Sequence, residues 1–107
     1  MNSSEIAKIN DEFRKALPIG QVVITQGVAA LSPADKAALI QNVIHFKDFN
    51  KGNDPYGEHD MGAFTFKAQK FFWKIDYYDS ELLYGVDPYE EPESVKRILT
   101  IMLANEY

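Results

Sequence analysis

The stretch Gly62–Tyr78, GAFTFKAQKFFWKIDYY, decides the architecture. Read with a period of two, Gly62–Lys67 puts Phe64 and Phe66 on one face. Lys70–Tyr78 puts Phe71, Trp73, Ile75 and Tyr77 on one face and Phe72, Lys74, Asp76 and Tyr78 on the other. Two strands joined by a short connection at Ala68–Gln69 predict a β-hairpin, although that pair lacks the usual Asn or Gly. Upstream, residues 47–60 (KDFNKGNDPYGEHD) are dense in Gly, Asn, Asp and Pro and read as a loop.

Further upstream, Ser32-Pro33-Ala34-Asp35 carries a cap, a proline suited to the first helical turn and an acid that can reach back. Ala37, Ile40, Val43 and Ile44 then mark the apolar face of a helix running to about His45 or Phe46. The β-branched run in Gln21–Val28 predicts a strand. Ser3–Leu17 predicts a first helix with Ile6, Ile9, Phe13, Ala16 and Leu17 as its stripe, Asn2 and Glu5 as its cap, and Pro18 and Gly20 as its stop. Downstream, residues 79–92 read as a loop with a short edge strand at Leu82–Tyr84. Pro92 to about Asn105 reads as a last helix, buried through Val95, Ile98, Leu99 and Met102. The expectation is a single small α+β domain over residues 1–107, in the order α-β-α-β-β-α. Its three-stranded, mostly antiparallel sheet would have helices packed against it.

Composition narrows the function. The chain has 107 residues, 46% of them hydrophobic and 25% charged, with a net charge of −5 and no cysteine. A folded domain is therefore expected, with no disulfide, no thiolate zinc site and no cysteine nucleophile. No apolar run reaches the ~18 residues of a membrane span, and the first residues lack a signal-peptide core, so a soluble, cytoplasmic protein is the expectation. The six glycines are dispersed and none precedes Lys-Ser or Lys-Thr, so a phosphate-cradling loop is absent. Neither a nucleophile elbow nor a metalloprotease helix is present. Lys67, Lys70 and Lys74 near Phe71, Phe72 and Trp73 are the one basic–aromatic patch, too small in a negative field to hold nucleic acid directly.

Charge and aromatics are both asymmetric. Residues 1–53 carry 5 acids and 6 bases, residues 54–107 carry 11 acids and 5 bases, and no base lies between Lys74 and Lys96. That gap holds Asp76, Asp79, Glu81, Asp87, Glu90, Glu91 and Glu93 among the tyrosines Tyr77, Tyr78, Tyr84 and Tyr89. An acidic surface bearing tyrosines fits a protein partner with a basic surface, because tyrosine supplies rigid contact area and charge steers encounter. The plainer alternative is that these acids solvate a loop and the first turn of the last helix. The candidate partner-binding residues are Asp76, Tyr78, Asp79, Glu81, Tyr84, Asp87, Tyr89, Glu90, Glu91 and Glu93.

Glu58-His59-Asp60, with Asp54 beside it, is the one cluster of catalytic residue types. In extended backbone Glu58 and Asp60 share a side and His59 faces away, so the trio would not converge on one ion without a tight turn. Holding the loop through backbone hydrogen bonds is the alternative reading. No catalytic residue, cofactor or metal is assigned.

The blocks NDPYGEHDMGAF (53–64), FFWKIDYYD (71–79) and RILTIMLANEY (97–107) together resemble an uncharacterised bacterial family, domain of unknown function 3768, often carried on plasmids and mobile elements. The family's G-E-H-D-[FM]-G pattern is matched by Gly57–Gly62, and its K-I-D-Y-Y-D pattern by Lys74–Asp79. The resemblance brings no chemistry. It brings a context, because small acidic proteins on mobile elements are often inhibitors of host defence. The leading expectation is therefore a non-enzymatic inhibitor, of anti-CRISPR or anti-restriction type, whose partner is a nuclease or CRISPR effector subunit. One alternative is a small metal-dependent hydrolase or nuclease built on Glu58-His59-Asp60. Another is a homodimer formed through an exposed aromatic sheet face of Phe71, Trp73 and Tyr77.

Overall fold

The computed structural model describes residues 1–89 and 95–107. Helix α1 spans Ser3–Ala16 and opens on a capping box, in which the Asn2 side chain accepts from the Glu5 amide while the Glu5 carboxylate accepts from the Asn2 amide. Leu17 closes it in a left-handed conformation (φ 40°), its amide donating to the Phe13 carbonyl at 2.8 Å. Strand β1 is only Val22–Ile24, and the rest of the predicted strand turns into the one-turn helix α2, Gln26–Ala29. Helix α3, Pro33–Ile44, starts as the Ser-Pro-x-Asp signal requires, with Ser32 accepting from the Asp35 amide. Its buried side is Leu39 and Val43, rotated from the predicted face, and Ala37 is exposed.

Strands β2 (Met61–Phe66) and β3 (Gln69–Tyr78) form the expected hairpin. The turn sits one residue earlier than predicted. Lys67 and Ala68 both take left-handed backbone (φ 49° and 64°), the conformation that matches the twist of a two-residue hairpin, without the Asn-Gly that usually supplies it.

The largest departure from the sequence reading is at the end of the chain. The predicted last helix is strand β4, Lys96–Leu103, and Pro92 and Glu93, where the helix was expected to begin, lie outside the described residues. No strand forms at Leu82–Tyr84, where Tyr78 and Gly85 make only an isolated bridge. The sheet is therefore four-stranded and mixed, in the order β1-β4-β3-β2, with β1 parallel to β4 and the other pairs antiparallel.

The helices cover one face of that sheet. Trp73 pairs with Ile101 and Ile75 with Leu99, and Phe71 points to the same side. With Val28, Leu39, Val43 and Phe46 these residues make the core. Phe71 and Trp73 are fully buried there, so the aromatic face suggested as a dimer surface is the inside of the protein. Tyr77 lies on the same side, half-buried. The opposite face carries Phe72, Lys74, Asp76 and Tyr78, with Lys74 Nζ 2.8 Å from the Asp76 carboxylate and Tyr107 edge-on to Phe72. Among the described residues no helix is long and apolar enough to cross a membrane.

Candidate functional site

Two polar assemblies lie on the 53–60 loop, and they share Glu58. The first runs inward. Asn10, on the buried side of α1, is fully buried and donates through Nδ2 to the Glu58 carbonyl (2.9 Å) and to the Tyr77 hydroxyl oxygen (2.8 Å). Tyr77 donates in turn to Asp60 Oδ2 at 3.0 Å. Arg97, buried on β4, donates from Nε to Asn10 Oδ1 at 2.6 Å and lies 5.3 Å from the Tyr77 ring centroid. One helix, the loop and two strands thus meet through four side chains. Burial pushes the Asp60 carboxyl up from 3.8, helped by the nearby charges of Glu58 and Asp54 and opposed by the hydrogen bond from Tyr77. Burial also lowers Arg97 and raises Tyr77 from their ordinary values.

The sign of the Asp60 effect sets a pH dependence. Unfolded, Asp60 releases its proton near 3.8; folded, it does so at higher pH. Between those values the native state binds the extra proton, so this group's contribution to stability falls as pH rises through the window. Asp60→Asn keeps an acceptor for Tyr77 and abolishes the titration. Its melting temperature relative to the parent should therefore climb between pH 4 and pH 7. A difference that stays constant in thermal melts across that range would contradict the assignment.

The second assembly runs outward. His59 takes left-handed backbone (φ 56°), which breaks the extended alternation expected of Glu58-His59-Asp60. Its Nδ1 lies 3.0 Å from Asp11 Oδ1 on α1, its Nε2 lies 3.6 Å from Asp54 Oδ2, and its ring stacks on Phe49 at 3.9 Å. Asp54 turns inward, its Oδ1 accepting the amides of Glu58 (2.9 Å) and His59 (3.0 Å). The Glu58 carboxylate accepts from the Tyr89 hydroxyl at 2.6 Å, a contact that pushes that phenol up to about 12. The three side chains of the trio therefore serve three different neighbours. Among the described residues no three His, Asp or Glu groups are placed to hold a metal ion.

The residues nominated as partner-binding divide in the same way. Asp76 and Tyr78 stand on the sheet face away from the helices. Asp79 is turned into its own loop, where Oδ1 accepts the amides of Glu81 (3.1 Å) and Leu83 (2.9 Å), and Asp87 Oδ1 accepts from the Tyr89 amide (2.8 Å). Glu81 and Tyr84 are exposed, and half-buried Tyr89 ties the loop to Glu58. Glu90, Glu91 and Glu93 lie outside the described residues. Between the tied points the chain holds apolar groups in water: Leu83 is 65% and Tyr84 72% exposed, with Leu82 beside them in left-handed backbone. Sequence reading placed Leu82 and Leu83 in an edge strand and not among the binding residues, and gave no role to Asn10, Arg14 or Arg97. The signal for Asn10 and Arg14 was present: they sit four and eight residues after Ile6, on the stripe that α1 buries.

A family model described as "Protein of unknown function (DUF3768)" matches residues 24–106. No curated protein and no solved structure matches the chain.

Proposed function

We propose that this chain, which belongs to the DUF3768 family, is a protein-binding module that presents the loop 79–89 to a partner with a basic surface. The supporting observation is the pinned, exposed Leu83-Tyr84 tip. Its base is closed by the Asp79 amide donating to the Tyr84 carbonyl (2.9 Å) and the Val86 amide donating to the Tyr77 carbonyl (3.1 Å). A loop held this way loses little freedom on binding, so an aromatic and a leucine at its tip can act as anchors. Around the tip lie Glu81 and Asp87, within a span that has no Lys or Arg from residue 75 to residue 95. Acids at the rim set the encounter rate and the choice of partner more than the final affinity.

In its finer form the proposal names the partner as a nucleic-acid-binding defence protein, a nuclease or CRISPR effector subunit, whose groove already accommodates negative charge. The chain would act as its inhibitor without catalysis.

Affinity capture from a bacterial lysate at low and then high salt, followed by kinetics on the captured protein, tests this. The Glu81→Lys, Asp87→Lys variant should slow association by roughly tenfold or more at low salt, and Leu83→Ala, Tyr84→Ala should accelerate dissociation by a similar factor. Neither change touches the core, so both variants should remain folded, with a loss of no more than a few degrees where Asp87→Lys gives up the Tyr89 amide. Binding that is unaffected by both variants would sink the proposal.

A further inference from the structure

The C-terminal ends of α1 and α3 leave a cleft of about 560 Å³ between them. Its walls hold the bases Arg14, Lys15 and Lys47 and both histidines of the chain, with Asp11 as the one acid. Two helix C-termini face this region, and each carries roughly half a negative charge. Against that stands a formal +2 from the three bases and Asp11 of the lining, with Asp54 set behind it 3.6 Å from His59 Nε2.

That excess is not taken up by acids. Asp11 is engaged by Arg14 at 3.1 Å and by His59 at 3.0 Å. Among the described residues Lys15 and Lys47 have no carboxylate within ion-pair distance. In a chain of net charge −5, a lining with three bases to one acid and two lysines free of carboxylates runs against the overall charge.

The cleft is also built rather than merely exposed. Arg14 is 2% exposed, donates from its NH2 group to the Phe46 carbonyl at 2.8 Å, and lies 5.3 Å from the Phe49 centroid and 5.1 Å from that of Trp73. Its Nε is buried with no hydrogen-bond partner among the described residues, so a fixed cation with unused donor capacity lies behind the cleft wall. Ile44, Phe46 and Phe49 supply the apolar part of the lining. The volume lies within the roughly 300–1,000 Å³ of small-molecule sites, and a few charged groups set among apolar walls are their usual make-up.

We propose that this cleft binds a small organic oxyanion, with an apolar body against Ile44 and the edges of Phe46 and Phe49, where His59 already stacks on Phe49, and a phosphate or carboxylate head between Lys15 and Lys47. The site uses none of the loop 79–89 residues, so it stands or falls independently of the partner-binding reading.

The test is chemical-shift mapping and calorimetry on the whole chain at low ionic strength. The probes are adenosine monophosphate, benzoate, adenosine and inorganic phosphate, each raised to about 5 mM, a range that detects binding of roughly −4 kcal/mol. Adenosine monophosphate or benzoate should shift His45, Phe49 and His59. If the phosphate compound alone does so, the head is a phosphate; if benzoate alone does so, it is a carboxylate. Adenosine and inorganic phosphate, each lacking half of the match, should bind at least about tenfold more weakly than the better probe. Lys15→Gln with Lys47→Gln should weaken that probe at least about tenfold while lowering the unliganded melting temperature by only a few degrees, because both lysines are exposed and glutamine puts no negative charge at the helix ends. Absence of cleft shifts with both organic anions, equal binding of inorganic phosphate, or binding retained in the double variant would overturn the proposal.

Discussion

Gly62→Ala should destabilise the protein by about 3 kcal/mol, a fall of roughly 15 °C in melting temperature for a domain of this size. Gly62 pairs with Trp73 across the β2–β3 hairpin and is buried under the indole. A methyl group there would run into Trp73 Nε1, and Phe46 Cε1 would lie only 2.7 Å away. Neither ring can give way. Trp73 is fully buried, held edge-to-face against Phe46 (5.5 Å) and Phe49 (6.1 Å), with the Arg14 guanidinium over it. A close-packed interior answers an extra carbon by straining rotamers or moving backbone. Thermal melts decide the matter with two companions. Gly20→Ala, where nothing lies within 4 Å, should change the melting temperature by no more than a few degrees. Gly62→Ala with Trp73→Phe should recover part of the loss relative to Trp73→Phe alone. If Gly62→Ala is as mild as Gly20→Ala, the packing described around Trp73 is wrong.

Asn10→Ala should cost a similar amount, about 3 kcal/mol, for a different reason. No clash arises; instead, buried groups lose their partners. The Arg97 Nε loses its acceptor at 2.6 Å, the Glu58 carbonyl loses a donor, and the Tyr77 hydroxyl oxygen loses the amide that ties it to α1. Each unsatisfied buried polar group costs roughly 1–3 kcal/mol, more when charged, whereas removing both partners of a bond costs much less. A double-mutant cycle of Asn10→Leu and Arg97→Met should therefore show a coupling of at least about 1 kcal/mol by denaturant unfolding, the double variant being more stable than the sum of the singles implies. Strict additivity would mean that the two side chains do not share a bond.

Both predictions concern parts that the sequence revealed unevenly. The β2–β3 hairpin was legible because each strand has one dominant apolar face, and period two survives that arrangement. Helix α3 was legible because Ser32, Pro33 and Asp35 act locally, whatever the rest of the chain does. Strand β4 was not. It lies between β1 and β3, and both of its faces are largely apolar: Leu99 and Ile101 point to the core while Ile98 and Met102 point the other way. Apolar residues on both faces cancel the alternation. What is left, Val95, Ile98, Leu99 and Met102, has the spacing of a helical stripe, and Pro92 with its acidic neighbours, outside the described residues, has the composition of a helix start. The β-branched Ile98, Thr100 and Ile101 carried the weaker, correct signal.

The candidate sites follow the same logic. The acidic interval and the Glu58-His59-Asp60 cluster could be read directly, because they are contiguous. The loop-holding reading of Asp54 agrees with its accepting the Glu58 and His59 amides. The partners of the cluster could not be read from sequence, because they lie on other elements: Asp11 is 48 residues from His59, and Tyr89 is 31 from Glu58. Arg97 was hidden behind the helix assignment, since the helix reading did not include it in the buried side, whereas the strand places it on the same side as Leu99 and Ile101.

The position of β4 also governs how the molecule can come into being. The central partner of β1 is the last of the four strands to be synthesised, and Asn10 must wait 87 residues for Arg97. A nascent chain that has emerged only to residue 95 can form its hairpin and its helices, but Val22–Ile24 then has no neighbour and the apolar side of β3 lacks its Leu99 and Ile101 flank. Such pairing across nearly the full length of the chain is slow to establish, because loop closure is charged before the contacts repay it. A polypeptide lacking residues 96–103 would have an incomplete sheet and an open core. The integrity of the whole sheet is thereby vested in one segment, β4, which joins β1 to β3.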